Sequence, residues 1–301
     1  MTIHERIAAS SPTLSFELYP PRTPDGQEAL CETIAKLAGV GPDFVSVTYG
    51  ASGSTRDSSR EVVRRLAKEH TIPPLAHLTC VSASRAELAQ IVEEFLAEGV
   101  RGFLALRGDP PQGEPDWRPH PDGLLYASQL VALIREVAGA KGLGPGQISI
   151  GVAASPAAHA DERWRDQGLE VLQAKQEAGA DFAITQIFFE AGQYLDLAED
   201  ARTAGITIPL LPGIIPIPSP ARASRLEQLT GVPVPLSLLE ALASAPDDDA
   251  ARAIGVVHAT ALAQTVLDSG APGIHVYTFN RHKAALELVE ALGLGPSARK
   301  A

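Results

Sequence analysis

The sequence predicts an α/β protein that folds as a (β/α)8 TIM barrel, with residues 1–301 forming one domain. Eight short apolar segments alternate with segments of helical periodicity, which is the arrangement of parallel α/β folds. The predicted strands are mostly apolar on both faces, as expected for strands that are buried on both sides. The first strand runs into Pro20-Pro21 and not into a GxGxxG motif, so an open dinucleotide-binding sheet is disfavoured.

Each predicted strand is a short apolar run bounded by turn-forming residues. The eight strands are expected at residues 14–18, 43–48, 75–79, 102–106, 147–153, 181–187, 208–213 and 273–278. Helices are expected at residues 27–37, 60–69, 84–98, 124–138, 164–178, 191–204, 221–229, 236–243, 246–267 and 283–292. Ser84 and Glu87 have the spacing of a capping box at the start of one helix. Residues 49–57 and 110–123 are predicted to be loops.

Composition and charge narrow the class of protein. The chain has 25 basic and 36 acidic residues and a net charge of −11, which argues against nucleic acid and anionic membranes as partners. Its longest apolar runs fall far short of the about 20 residues that cross a bilayer. Cys31 and Cys80 are the only cysteines, and without a CxxC or HExxH motif no metal site is expected. Two such thiols and no signal-peptide pattern predict a cytoplasmic protein.

Polar side chains gather at the carboxyl ends of the predicted strands, where parallel barrels place their chemistry. Glu17 lies in the middle of an apolar strand, where a carboxylate is costly to bury unless it is paired or protonated. A buried glutamic acid with a raised pKa is a good general acid. The alternatives are structural, namely that Glu17 pairs with Arg22 and that Arg107 pairs with Asp109.

Longer motifs occur in order along nearly the whole chain. They are Ser15-Phe-Glu-Leu-Tyr-Pro-Pro-Arg-Thr23, Pro42-Asp-Phe-Val-Ser-Val-Thr-Tyr-Gly-Ala-Ser-Gly-Ser-Thr-Arg-Asp57, Ala76-His-Leu-Thr-Cys80, Leu104-Ala-Leu-Arg-Gly-Asp-Pro-Pro111, Tyr126-Ala-Ser128, Ala178-Gly-Ala-Asp-Phe-Ala-Ile-Thr-Gln-Ile-Phe-Phe-Glu190, Pro212-Gly-Ile-Ile-Pro216 and His275-Val-Tyr-Thr-Phe-Asn-Arg281. Together they resemble the bacterial type of the methylenetetrahydrofolate reductase family, with the catalytic barrel alone. A regulatory domain, and with it feedback control by adenosylmethionine, is not expected.

The resemblance implies reduction of 5,10-methylenetetrahydrofolate, a small-molecule substrate, to 5-methyltetrahydrofolate with NADH or NADPH. It implies that Glu17 is the general acid and that Asp109 stabilises positive charge on the pterin. Thr48 and Gln186 would bind the substrate's pterin. Arg281 would bind the glutamate tail of folate, a rim salt bridge being the alternative reading. The oligomeric state is left open, a homo-oligomer included.

Members of this family usually carry FAD, which makes the cofactor the open question. The resemblance places cofactor contacts at His77, Arg107, Gly108, Tyr126, Ala127, Ala154, His159 and Lys175. Other positions depart from the flavin-binding pattern, namely Ser155 in place of an aromatic residue and Gly168, Val171 and Ala174 in place of polar or charged ones. The pattern favours direct hydride transfer from NAD(P)H without flavin. The conventional FAD-mediated reaction in two half-reactions and a non-catalytic folate-binding paralogue are the alternatives.

Overall fold

In the computed structural model, eight parallel strands close into a barrel in the order in which they occur along the chain. The structure describes residues 1–9, 12–21, 23–48, 53–109, 118–159 and 165–295, without the side chains of residues 24, 53–57, 158 and 159. The strands are β1 (Thr13–Leu18), β2 (Phe44–Val47), β3 (Pro74–Thr79), β4 (Gly102–Leu106), β5 (Ser149–Ala154), β6 (Phe182–Ile187), β7 (Leu210–Ile214) and β8 (Gly273–Tyr277). The predicted fold class is therefore confirmed.

Helices surround the barrel and connect consecutive strands, as right-handed crossover connections require. In the described residues they are α1 (Ile3–Ala9), α2 (Pro24–Ala38), α3 (Gly53–Glu69), α4 (Arg85–Ala97), α5 (Ala127–Ala140), α6 (Pro156–His159), α7 (Arg165–Glu177), α8 (Ala191–Thr203), α9 (Pro220–Thr230), α10 (Leu236–Ala243), α11 (Asp248–Asp268) and α12 (His282–Ala291). The predicted capping box is present, because Ser84 Oγ accepts from the Glu87 amide while the Glu87 carboxylate accepts from the Ser84 amide.

The two faces of each strand lie in different environments, because successive side chains point to opposite sides. On β1, Leu14 and Phe16 are buried in the large core between strands and helices. The alternate residues, Ser15 and Glu17, belong to the barrel interior, where Ser15 hydrogen-bonds to His275 of β8. Glu17 lies beside Ser46 and Tyr277 in the strand register. This alternation places the Glu17 carboxyl inside the barrel.

Helix α1, which the sequence pattern did not predict, covers the amino end of the barrel. Its buried residues Ile3 and Ile7 pack with the inward side chains Phe44, Leu75 and Phe182. A short helix with only two buried positions has too little periodicity to be recognised from sequence. With α1 in place, the amino end is filled by apolar side chains and the site lies at the carboxyl end.

Helix α3 begins earlier than predicted. The loop expected at residues 49–57 is helical from Gly53 onward, whereas residues 49–52 lie outside the described part of the chain. The Gly-Ser-Thr composition of this segment is typical of turns, but the same residues are also favoured at helix starts. Of the second predicted loop, 110–123, only residues 118–123 are described.

Helix α11 is, by length and composition, apolar enough to cross a membrane, with a mean hydropathy of 1.2 over its best window. It nevertheless packs as a barrel helix, against α8, α10, α12, β7 and β8. Gly255 lies so close to the Ile217 carbonyl that any β-carbon would collide with it. Because acidic residues also start and end the helix, its apolar character is explained by packing on the barrel.

Candidate active site

A cavity of about 860 Å³ opens at the carboxyl ends of the strands. It brings together four of the residues that the sequence singled out, from four different strands or strand ends. They are Glu17 of β1, Thr48 after β2, His77 of β3 and Gln186 of β6. The strand ends thus meet at one rim, as the barrel predicts.

Glu17 and His77 face each other in this cavity. The distance from Glu17 Oε2 to His77 Nε2 is 3.6 Å, and the buried His77 Nε2 has no hydrogen-bond partner among the described residues. Burial raises the pKa of Glu17 to about 8 and lowers the pKa of His77 to about 3. With these pKa values the carboxyl is protonated and the imidazole neutral at pH 7, which is the state that a general acid requires.

Buried polar side chains of neighbouring strands lie near Glu17 in the barrel interior. His275 is fully buried and bonds Ser15 through Nδ1 at 2.8 Å, with Ser46 Oγ 3.4 Å from its Nε2. Burial lowers its pKa to about 3. The Tyr277 hydroxyl donates to the Thr185 carbonyl at 2.9 Å, and burial together with the charge of Glu17 raises the Tyr277 pKa well above its ordinary value. These groups are neutral hydrogen-bonding partners of the barrel interior, so none of them compensates a charge on Glu17.

Thr48 and Gln186 are half-buried at the cavity wall. The Thr48 amide donates to the Leu18 carbonyl at 2.9 Å, which continues the pairing of β1 with β2 beyond the strand end. The side-chain oxygen of Gln186 accepts from the Ile187 amide at 2.9 Å. The amide NH₂ group is then the donor that Gln186 offers to a ligand.

Two cations lie beside the cavity, at the ends of β4 and β5. Lys175 of α7 donates to the carbonyl of Ala153, a cavity residue, at 2.7 Å. Burial and then the positive charge of Arg107 lower the pKa of Lys175 to about 8. Among the described residues neither cation pairs with a carboxylate, so the alternative Arg107–Asp109 ion pair is not formed. Paired cations without a carboxylate are the arrangement that binds a phosphate group.

Gly108 shapes the loop that carries Arg107. Its backbone has a φ of +79°, and a β-carbon would lie 2.5 Å from Val81 Cγ2 and 3.0 Å from Thr79 Cβ. Both the left-handed conformation and the close approach require glycine.

Gly108→Ala should therefore destabilise the protein by about 1–3 kcal/mol and weaken any ligand held by Arg107. Urea unfolding measures the first effect. Gly139→Ala is the matched control, because Gly139 lies in α5 with open space around its Cα, and alanine there should leave stability unchanged or raise it. Equal stability of wild type and Gly108→Ala would contradict this account of the loop.

The remaining predicted residues lie outside the cavity. Asp109 and Arg281 are exposed at the ends of β4 and β8, and Tyr126 is 60% exposed at the start of α5, next to the buried Ala127. Ala154 is half-buried at the end of β5. His159 ends the short helix α6, but its side chain lies outside the described part, as does Arg22. The roles assigned to these residues stay predictions.

The flavin contacts expected on α7 do not fit the side chains present there. Gly168 and Ala174 are exposed and offer no polar atom, and Val171 presents an apolar side chain that is 45% exposed. Arg165, at the start of the helix, is 3.8 Å from the carboxylate of Asp200. Lys175 of the same helix carries a cation next to the cavity, and its role as a cofactor contact stays a prediction.

The sequence pattern did not identify the cationic side of the cavity. Arg222 and Arg225 of α9 line it, and Phe279 and Asn280 form its edge after β8. Both edge residues have positive φ, 50° and 55°. An arginine pair three residues apart near the start of the helix that follows β7 is the signal available in the sequence, since residues at that spacing share one helix face.

A parallel eight-stranded barrel whose open end holds a buried carboxyl of raised pKa, with two cations beside it, has the features of an enzyme site. Comparison with known proteins identifies the class of enzyme. Residues 2–293 match the methylenetetrahydrofolate reductase family. The 5,10-methylenetetrahydrofolate reductases of Pectobacterium carotovorum subsp. carotovorum and Escherichia coli K12 are 33% and 32% identical, the matches covering 94% of this chain and 91% of each relative. The methylenetetrahydrofolate reductase (NADH) 1 of Arabidopsis thaliana is 34% identical over 93% of this chain and 48% of its own length.

The chain therefore belongs to the methylenetetrahydrofolate reductase family and is an oxidoreductase. A solved structure from Clostridium thermocellum, a protein that binds two copies of 5-methyl-5,6,7,8-tetrahydrofolic acid, superposes with a TM-score of 0.63 at 14% identity, covering 99% of this chain and 98% of the other. Dihydropteroate synthase from Xanthomonas albilineans superposes with a TM-score of 0.53 at 17% identity, covering 98% and 93%. At these identities the superpositions support the fold. The family and enzyme class expected from the motifs are confirmed.

Proposed function

We propose that this protein reduces 5,10-methylenetetrahydrofolate to 5-methyltetrahydrofolate and that the hydride passes directly from NADH or NADPH to the folate. The observation that carries the reaction is the protonated Glu17 at the floor of a cavity of about 860 Å³. The observation that favours direct transfer is that three positions of α7 carry side chains that cannot hydrogen-bond to a flavin, namely Gly168, Val171 and Ala174.

The reaction begins with a proton transfer. Glu17 delivers its proton to N10 of the substrate, the bond between N10 and the methylene carbon breaks, and a cationic N5 iminium remains. A neutral acid suits this step, since a pKa of about 8 keeps Glu17 protonated at pH 7. Glu17 then carries no negative charge before it transfers its proton. Gln186 and Thr48 hold the pterin by hydrogen bonds, and the carboxylate of Asp109 stabilises the developing positive charge.

The second step is the hydride transfer. The nicotinamide gives a hydride to the methylene carbon of the iminium, which becomes the N5-methyl group, and the oxidised nucleotide leaves. One proton and one hydride are consumed per turnover, so the reaction balances without a further reductant. Arg107 and Lys175 hold the pyrophosphate of the dinucleotide, because two cations next to each other match its two negative charges.

Flavin dependence is tested on the purified protein by first recording its visible absorbance and then measuring NADH oxidation with methylenetetrahydrofolate, with and without added FAD. We expect turnover in a flavin-free preparation, unchanged by FAD. Turnover that requires FAD, or FAD that stays bound through purification, would overturn direct transfer and favour the conventional reaction. No NADH oxidation under either condition would favour the non-catalytic paralogue.

We expect the barrel to act in the cytoplasm on a small-molecule folate. Homo-oligomerisation stays open, and light scattering of the purified protein measures it.

A further inference from the structure

One side of the cavity carries two cations that the proposed reaction does not use. Arg222 lies in the first turn of α9 and Arg225 one turn further, and both line the cavity. The first turn of α9 has no acidic residue. A cation at the positive end of a helix is disfavoured by the helix dipole, so these two side chains and the helix end attract an anion jointly.

Neither guanidinium is neutralised within the described part of the chain, where no carboxylate pairs with Arg222 or Arg225. Arg222 lies over the ring of Phe279, 5.5 Å from its centre. The loop of Phe279 is held in place because Asn280 exchanges two hydrogen bonds with the backbone of Tyr19, at 3.0 and 2.8 Å. Arg222 is therefore positioned before any ligand arrives, in a chain whose net charge is −11.

The lining of the cavity also includes apolar side chains. Ile187, Ile215 and Leu226 belong to one buried cluster, and Phe279 packs against it. The cavity lining thus combines the carboxyl of Glu17, apolar side chains and two cations. A folate combines the complementary groups, with a polar pterin, an aromatic ring and a glutamate that carries two carboxylates.

We propose that Arg222 and Arg225 form a carboxylate-binding subsite for the glutamate tail of the folate. The inference rests on the proposed function in one respect, that the substrate is a folate, and it holds whether or not flavin takes part. Two guanidiniums match the two carboxylates of one glutamate, and each makes charge-assisted hydrogen bonds.

The test compares folates with and without the glutamate. For Arg222→Ala/Arg225→Ala, the KM for methylenetetrahydrofolate should rise on the order of 30-fold while kcat changes little, as expected for lost ground-state binding. The KM for methylenetetrahydropteroate, which lacks the glutamate, and the KM for NADH should not change. Arg222→Lys/Arg225→Lys should recover part of the loss, and Arg202→Ala on α8, whose guanidinium pairs with Glu199, is the matched control.

Calorimetry with 5-methyltetrahydrofolate and 5-methyltetrahydropteroate gives the same comparison without turnover. Preserved discrimination between the two ligands in the double variant would overturn the proposal, and so would loss of discrimination in Arg281→Ala alone. A rise confined to the KM for NADH would also overturn it, since the pair would then bind the dinucleotide. Calorimetry needs no hydride donor. It therefore measures binding of the glutamate by this subsite even if the flavin-free reaction fails.

Discussion

Glu17→Gln should lower kcat by about 10²–10⁴-fold, the usual contribution of a general acid, while folate binding is retained. Glutamine keeps the shape and the hydrogen-bonding capacity of the carboxyl but cannot release a proton to N10. NADH oxidation measures kcat, and calorimetry with 5-methyltetrahydrofolate measures binding. Glu290→Gln, at an exposed position of α12, is the matched control and should be fully active.

The pH profile of the wild type tests the same residue. Because the acid acts in its protonated form, kcat/KM for the folate at saturating NADH should fall as pH rises past about 8, the pKa of Glu17. A rate that rises through this range, or a Glu17→Gln variant with normal kcat, would show that another group supplies the proton.

The stability of the variant should change in the opposite direction to its activity. The Glu17 pKa is about 8 in the folded protein and near 4.5 when exposed, so ionisation increasingly favours the unfolded chain as pH rises from 4.5 to 8. Glu17→Gln removes this cost, and its Tm should therefore exceed that of the wild type at pH 9 but not at pH 4. Equal Tm values of the wild type and the variant at pH 9 would mean that the Glu17 carboxyl is not buried away from water.

Arg107→Ala/Lys175→Ala should raise the KM for NADH by about 10²-fold or more, because each lost charge-assisted hydrogen bond costs about 1.5–3 kcal/mol. The KM for the folate should stay near its wild-type value. Steady-state kinetics with each substrate varied in turn separates the two effects. Lys141→Ala, which removes an exposed lysine paired with Glu93, is the control.

The charge of Lys175 also predicts a pH effect on the nucleotide. Its pKa is lowered to about 8, so the lysine is cationic below that pH and neutral above it. The KM for NADH should rise as pH passes 8 in the wild type and should not respond to pH there in the double variant. A double variant that loses folate affinity and keeps NADH affinity would place the nucleotide elsewhere.

Some parts of this site follow from local sequence. A short apolar run that ends in turn formers predicts a strand, and a polar residue at its end, such as Thr48, His77 or Gln186, is predicted to lie on the rim. Glu17 could be singled out because a carboxylate inside an apolar strand needs a special reason. Motif order along the chain was enough to predict the family.

Other parts depend on contacts between distant segments. The proximity of Arg107 and Lys175 arises from the packing of α7 against β5, and their spacing in sequence carries no sign of it. Helical spacing shows that Arg222 and Arg225 share a face but not which surface that face meets. Helix α1 cannot be predicted from the sequence because seven residues with two buried positions give almost no periodic signal.

The sequence by itself determined the barrel, the strands whose ends carry polar groups and the family to which the chain belongs, because hydrophobic periodicity and turn chemistry are local properties. Only the tertiary structure decided that Glu17 is buried so that its pKa rises to about 8, that His77 faces it, and that two separate pairs of cations flank the cavity. A pKa and a binding site both depend on what surrounds a group, and for each of these residues the surroundings come from strands and helices far away in the chain.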